Sequence, residues 1–383
     1  MIFSVANYIL AVKHLDRMAR TLGAKRIYAL GEEHDREALK CSVGNSVLVV
    51  QVMCEGKRMA MRIYMRPNAN LRAIYGDSYY PKELLVSSSC DVFGLADVVL
   101  CDWKEGVSLQ SKIEELAHKP DKMAALSQMF EEFALSLLGE KWAHGDLKPE
   151  NIIFSKDGLS LIDFDAMYCE GFGSENCVEI GTREFQHPLR NMGYFNKSID
   201  DYPIALITTA LTALSLDSTL ARKVVESDYL LIRPYLAVKG EDAMLERIER
   251  LFAERGDARH YRIARLLHSS HPSLPRLKEF MEASVKAVEL TEPLSLEYYN
   301  GYWGFSHRGE FVIPPIYDLA FEYSEDLALV RIGDIWHFID TQGRVAITCG
   351  CGRGIKPFNN GTTRICREDG EFIIYRDGRI ERV

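Results

Sequence analysis

The segment His144-Gly145-Asp146-Leu147-Lys148-Pro149-Glu150-Asn151-Ile152-Ile153, followed by Leu161-Ile162-Asp163-Phe164-Asp165, concentrates the residue types best suited to chemistry. Asp146 and Asn151 stand five apart across a proline, which places them on a loop rather than on one helix face. The apolar pair Ile152-Ile153, the turn Lys156-Asp157-Gly158 and the run Leu159-Ser160-Leu161-Ile162 predict a hairpin. That hairpin delivers a second carboxylate, Asp163, to the same neighbourhood. Two carboxylates and one amide oxygen are hard ligands suited to Mg2+, which keeps waters and is completed by phosphate oxygens. Phosphoryl transfer then needs a group to orient the attacking hydroxyl and cations around the moving phosphoryl group. Asp146 suits the first role and Lys148 the second.

The elements that must position these residues change texture along the chain. Val5, Ile9, Val12, Leu15 and Leu22 recur at helical spacing and predict a helix over 3–22, with Gly23 as its C-cap. The apolar start lacks a basic leader region and a small-residue cleavage site, so it reads as a helix rather than a signal peptide. Residues 39–103 are mainly strand-like, with runs over 46–52 and 59–65 separated by a Cys54-Glu55-Gly56-Lys57 hairpin turn. Helical periodicity dominates from 112 to about 290, most clearly over 123–139 and 200–214. Residues 289–297, with Pro293, read as a linker.

Beyond the linker the chain repeats itself. Trp303-Gly304-Phe305 with Gly309 returns as Trp336-His337-Phe338 with Gly343, and more weakly as Phe372-Ile373-Ile374 with Gly378. Residues 323–330 correspond in the same way to 358–365. A fixed period of this kind predicts stacked supersecondary units. The block resembles the WG-repeat family of small β modules, which implies a stability or interaction role without chemistry of its own.

Composition excludes little. The 46 Lys+Arg and 55 Asp+Glu leave a formal net charge of −9, which argues against nucleic acid bound through net charge. No apolar run reaches the roughly 18–20 residues of a membrane span, so no membrane partner is expected. Nine scattered cysteines without a CxxC pair read as reduced thiols of a cytoplasmic protein, with no structural metal. His260, His268 and His271 lie in an Arg-rich helical stretch and read as a solvated face.

The His144–Asn151 loop and the Asp163-Phe164-Asp165 triplet resemble the catalytic loop and the DFG motif of eukaryotic-type Ser/Thr protein kinases, in a bacterial subgroup that carries DxD. The resemblance covers roughly residues 39–285. It implies Asp146 as catalytic base, Lys148 on the γ-phosphate, Asn151 and Asp163 on magnesium, and His144 as the structural histidine of the loop. Gly181-Thr182-Arg183-Glu184-Phe185-Gln186-His187-Pro188 is similar to the end of an activation segment. Asp200 falls where a buried aspartate braces the catalytic loop. On the nucleotide side the resemblance implies Gly44 in a reduced Gly-rich loop over 42–46, Ala60 and Arg62 on the strand, and Cys101, Asp102 and Trp103 at the adenine hinge.

Several positions depart from that pattern. Arg62 stands where the phosphate-binding lysine belongs, and its acidic partner would come from Asp77 or Glu83. Gly145 replaces the arginine that senses activation-segment phosphorylation, Asp165 replaces the glycine of DFG, and Leu189 replaces a glutamate after Pro188. Tyr168, Ser174 and Thr182 read as ordinary hydroxyls rather than phosphorylation sites.

The expected fold class is therefore α+β. A two-lobed protein-kinase-like fold, with a β-rich N-lobe and a helical C-lobe, precedes a small antiparallel all-β repeat domain. The expected boundaries are 1–36 for an N-terminal helical extension, 37–103 for N-lobe and hinge, 104–290 for the C-lobe and 291–383 for the WG-repeat domain. The expected activity is ATP- and Mg2+-dependent transfer to a protein substrate, with a protein partner held by the repeats. Two alternatives stand beside it: a pseudokinase scaffold, and a small-molecule kinase of the aminoglycoside phosphotransferase type.

Overall fold

The computed structural model describes residues 3–31, 39–44, 46–88, 92–226, 229–286 and 292–383, with 224–226 by backbone alone. Asn45, the expected boundaries at 36/37 and 290/291, and residues 289–291 of the expected linker lie outside the described residues.

Ser4 starts α1 (Val5–Lys13) by accepting the Asn7 backbone N–H on its hydroxyl. The single helix expected over 3–22 breaks at His14, whose backbone (φ −125°, ψ 43°) leaves helical space. A short α2 (Leu15–Met18) follows, and Gly23 sits inside a 3-10 turn rather than capping a helix. The strands are β1 (Ile27–Ala29), β2 (Cys41–Val43), β3 (Val47–Cys54), β4 (Lys57–Tyr64), β5 (Tyr79–Ser87) and β6 (Phe93–Asp102), with α3 (Leu71–Tyr75) between β4 and β5. They form one antiparallel sheet in the order β1-β3-β4-β6-β5, with β2 paired to β3. Glu55 and Gly56, both at positive φ, make the two-residue β3–β4 turn that the sequence predicts.

Strand alternation divides this sheet into two faces. Leu48, Val50, Val52, Met61, Ile63, Val98 and Leu100 pack under Tyr8, Val12, Leu15 and Leu22 of the N-terminal helices. Glu83 of β5 locks that cover in place, accepting the N–H groups of Thr21 (2.7 Å) and Leu22 (2.6 Å) and the Thr21 hydroxyl. By alternation the opposite face of β4 carries Ala60, Arg62 and Tyr64.

The helical region contains β7 (Val107–Ser108), α4 (Leu109–Leu116), α5 (Pro120–Gly139), β8 (Ile152–Ser155), β9 (Gly158–Leu161), α6 (Asp201–Leu216), α7 (Ala221–Glu226), α8 (Pro234–Lys239), α9 (Ala243–Arg255), α10 (Ala258–Leu266) and α11 (Leu277–Glu282). Every residue of α6 from Asp201 to Leu214 is buried, as befits a helix apolar on all sides. Beside it, the Arg-rich stretch is a solvated face at His271, which is exposed, but not at His260 or His268. Buried His260 bonds Asp257 (2.7 Å) and Glu131 (2.8 Å), and His268 bonds Glu249 (2.7 Å). These histidines join helices through carboxylates, which the alternation of charges in sequence does not reveal. Among the described residues no helix is long and apolar enough to cross a membrane.

Three antiparallel sheets follow: β10 (Ser295–Tyr299) with β11 (Tyr302–His307) and β12 (Glu310–Tyr317); β13 (Leu319–Ala320) with β14 (Ala328–Ile332), β15 (Ile335–Ile339) and β16 (Val345–Cys351); and β17 (Thr362–Arg367) with β18 (Gly370–Tyr375) and β19 (Ile380–Arg382). β10 begins at Ser295, so the expected linker ends in a paired strand instead of running to 297. Gly309, Gly343 and Gly378 all adopt positive φ at corresponding turns, and the bridges Ser324–Leu327 and Asn359–Thr362 also correspond. Gly304 is required by crowding, because a Cβ there would lie 2.7 Å from the Ile313 carbonyl oxygen.

The first two repeats share a core with the helices. Phe305, Ile313, Ile332 and Ile339 belong to one buried cluster with Phe252, Ile263 and Phe280. Buried Arg262 of α10 donates to the Ile316 carbonyl (2.7 Å) and pairs with Asp318 (2.7 Å), while His337 bonds the Ala253 carbonyl (2.8 Å). A separate core of Trp336, Phe338, Ile347, Phe358, Ile365 and Ile374 joins the second repeat to the third.

The His260 cluster sets a pH dependence. Burial alone would lower its pKa, but Asp257 and Glu131 outweigh that and raise it to about 9. A group raised above its unfolded value of about 6.5 contributes stability fully below that pH and loses it as pH rises through 9. The stability advantage of wild type over His260→Gln, from urea unfolding, is therefore expected to fall by about 2–3 kcal/mol between pH 6.5 and 9.5. A pH-independent difference would exclude the charged pairing.

Candidate functional site

The loop from His144 to Asn151 is anchored by buried Leu147 and Ile152, and β8–β9 returns the chain to Asp163 as expected. Asn151 closes this unit. Its side-chain nitrogen Nδ2 donates to the Asp146 carbonyl (2.8 Å) and carboxylate (3.1 Å), and its backbone carbonyl accepts the Ile162 N–H (3.0 Å). His144 is buried, bonds the Ile162 carbonyl through its ring (2.8 Å), and packs against Phe164. Below the loop, Asp200 accepts the N–H groups of His144 and Gly145 (2.9 Å for the latter), so its position bracing the loop agrees with expectation. Burial raises the Asp200 pKa, against the opposing pull of His144 and those two donors.

The segment 164–190 folds back over this loop. Thr182 N–H donates to the Asp146 carboxylate (2.6 Å), and the Lys148 ammonium donates to the Thr182 hydroxyl (2.7 Å) while lying 3.5 Å from Asp146. Arg190, next to the Leu189 that departs from the family pattern, donates to the Gly145 carbonyl (2.7 Å) and to the Gln186 side chain. Burial pushes the Arg190 pKa down, partly offset by Asp200 and other nearby groups. The backbones meet so closely that side chains are excluded. A Cβ on Gly145 (φ +84°) would lie 2.0 Å from the Ala166 oxygen, and one on Gly181 (φ +72°) 2.5 Å from the Gly145 oxygen. Gly145 is thus fixed by close approach as well as by its backbone angle.

Arg62 reaches this unit from the sheet. Its Nη2 lies 2.6 Å from an oxygen of Asp163 and 2.6 Å from an oxygen of Asp165. The other Asp165 oxygen accepts the hydroxyls of Tyr64 (2.6 Å) and Tyr75 (2.7 Å). Burial and Asp165 raise both tyrosine pKa values, which keeps these hydroxyls donors. The expected acidic partners of Arg62 therefore need correcting. Glu83 is committed to the N-terminal turn on the opposite side of the sheet, Asp77 is exposed in the 3-10 turn after α3, and α3 itself offers Tyr75. A further tie joins Asn70, just before α3, to the Asn176 carbonyl (2.6 Å).

The remaining expected residues are spread more widely. Ala60 and Cys101 are register partners on the Arg62 face, and burial raises the Cys101 thiol pKa. Asp102 is exposed and paired with Lys57 (2.6 Å), and Trp103 N–H reaches the Arg58 carbonyl. Gly44 lies in the exposed β2–β3 turn, where its N–H bonds the Val47 carbonyl (2.8 Å). None of these three contacts brings its residue to Asp146 or Asp163.

Glu179 was not singled out in the sequence. Loss of hydration, then repulsion from Asp146, Asp163 and Asp165, pushes its pKa up to about 7. Tyr64, Tyr75, Asn70, Asn176 and Arg190 were missed as well. The only sequence signal for the tyrosines was Asp165 itself, a carboxylate where the motif has glycine. Among the described residues, no three His, Cys, Asp or Glu side chains converge on a metal site.

One comparison bears on the C-terminal block. Residues 303–336 match the WG containing repeat. That match supports a repeat module, compatible with protein interaction, over the stretch from β11 to the start of β15. No curated protein matches the chain.

Close packing at Gly145 is testable. Gly145→Ala is expected to cost more than about 2 kcal/mol in urea unfolding, from left-handed strain plus the clash with Ala166. Gly158→Ala shares a positive φ but meets nothing within 4 Å, so it should cost only about 1 kcal/mol. Equal costs would show that the loop yields.

Proposed function

We propose that the chain is an ATP- and Mg2+-dependent phosphotransferase resembling a Ser/Thr protein kinase, carrying a WG-repeat module that engages a protein partner. The observation that carries this reading is the constellation around Asp146. One carboxylate accepts Thr182 N–H and Asn151 Nδ2, beside a lysine that also bonds the Thr182 hydroxyl. Asp146 is thereby held as an acceptor that can orient a hydroxyl and receive its proton. Lys148 and Arg62 supply the cations that charge build-up on a phosphoryl group requires.

The donor set fits a magnesium ion. With the Asn151 amide nitrogen committed to Asp146, its oxygen is the atom left for a ligand, and Asp163 retains an oxygen beyond the one facing Arg62. Two hard oxygens suit an ion that keeps waters and takes phosphate oxygens for the rest. Bound there, the ion would screen phosphate charge. Ala60 and Cys101, small register partners on the Arg62 face, are the side chains that would meet a nucleobase, and Glu179, when ionised, adds negative potential that favours a cation. The resemblance of Lys148-Pro149-Glu150 and of the Gly181–Pro188 segment to protein kinases favours a polypeptide acceptor over a small amino-alcohol.

A second reading, a pseudokinase scaffold, is favoured by one observation. Arg62 pairs with Asp163 itself, so an internal cation already neutralises a carboxylate expected on magnesium. Radiolabelled ATP with Mg2+ separates the two. Wild type is expected to transfer label to itself or to a generic protein substrate, and Asp146→Asn and Asp163→Ala to lose about a hundredfold or more. Transfer no greater than in these variants selects the scaffold. Label appearing only on aminoglycosides or amino-alcohols selects the small-molecule kinase.

A further inference from the structure

The two acids that hold Arg62 are unequal. Asp165 has a side chain only 12% exposed, and its second oxygen is fixed by two tyrosine hydroxyls, one from β4 and one from α3. Asp163 has a side chain 43% exposed, no comparable clamp, and a left-handed backbone at φ +66°. Arg62 itself is 9% exposed. A buried guanidinium cannot be left without a counter-charge, because the desolvation cost would then be uncompensated. One of its two partners can leave at modest cost only if the other stays.

We infer that Asp165 is the permanent acid partner of Arg62, replacing a helix glutamate, whereas Asp163 is a releasable partner that exchanges Arg62 for a divalent cation bound with polyphosphate. This rests on the phosphotransfer reading. Asp165 is a positioning residue: it aims the guanidinium, and Tyr64 and Tyr75 aim Asp165. In the ground state a single nitrogen of Arg62, Nη2, faces both carboxylates. A cation that takes Asp163 frees the Nη2 side that faced it, and a planar guanidinium can turn that side with Nη1 toward two phosphate oxygens while Nη2 stays on Asp165. The position that looked like a defect, a carboxylate in place of a motif glycine, then compensates for the missing glutamate on α3. Arginine and Asp165 are a matched pair, since a guanidinium has several nitrogens to hold the acid and bind phosphate together, and lysine has one.

The metal dependence of nucleotide binding distinguishes the two acids. ATP binding to the full chain is measured by calorimetry with and without Mg2+. Asp165→Asn is expected to weaken ATP about tenfold or more in both conditions. Asp163→Asn is expected to abolish the gain from Mg2+ and to tighten metal-free binding, because Arg62 is released to phosphate. Adding Tyr75→Glu to Asp165→Asn returns a carboxylate to α3 and should restore affinity toward wild type, which a general loss of packing would not permit. Should Asp165→Asn not fold, Tyr64→Phe with Tyr75→Phe removes the clamp alone and should weaken ATP in both conditions. Wild-type affinity in Asp165→Asn or the double Phe variant overturns the inference. So does Asp163→Asn weakening metal-free ATP. If wild type binds no ATP at all, the phosphotransfer reading falls, and the ranking of the acids is read from the Arg62 guanidinium NMR signal. That signal should persist in Asp163→Asn and disappear in Asp165→Asn; the reverse pattern overturns the ranking.

Discussion

A single buried guanidinium holds the sheet and the helical region in register. Arg62 spans the carboxylates of Asp163 and Asp165 at 2.6 Å each, more than a hundred residues along the chain. Removing one member of such a buried pair is commonly costly, about 3–5 kcal/mol, because a charge is stranded out of water. Here the charges are also tied to structure through neutral donors. Tyr64 belongs to the same strand as Arg62 and Tyr75 to α3, so one carboxylate fixes strand, helix and loop at once. The Asn70–Asn176 bond repeats that tie a few residues away. Elements too short to be stable alone, such as five-residue α3, acquire their position from this network.

Around Asp146 the same economy is achieved with backbone rather than charge. Gly145, Ala166 and Gly181 approach within distances that admit no side chain, and Asp200 and Arg190 hold the loop from beneath through its N–H and carbonyl groups. Hydrogen bonds to backbone fix φ and ψ directly, and the carboxylate on that fixed loop is then held by one backbone N–H, from Thr182, and the Asn151 side chain. Arg190, beside Leu189, grips the carbonyl of Gly145 and so reaches the loop by a charge-assisted bond to backbone.

How much of this was legible in sequence depended on the range of each interaction. The loop, the β8–β9 hairpin and the delivery of Asp163 were readable because turn chemistry and strand alternation are local signals. The three repeats were readable because period is a property of sequence. The partner of Arg62 was not, since candidate acids were sought on the next helix while the actual ones lie across the fold. Glu83 has the right chemistry but points to the other face of a pleated strand, a distinction that one residue of register decides. His260 and His268 show the opposite difficulty: their carboxylate partners include Glu131 and Glu249 on other helices, so an apparently wet stretch is interior. The break at His14 had no proline or glycine to announce it.

The repeats do not hang from a tether. Phe305, Ile313 and Ile339 complete a core begun by Phe252 and Ile263, and Arg262 and His337 stitch the seam with hydrogen bonds. For two modules joined by a flexible chain, linker length sets the local concentration of one site at the other. A shared core replaces that statistical quantity with a fixed offset. The outer sheet β17–β19 continues that offset through its own core with the second repeat, so the block behaves as a rigid arm of the helical region rather than a weight on a string.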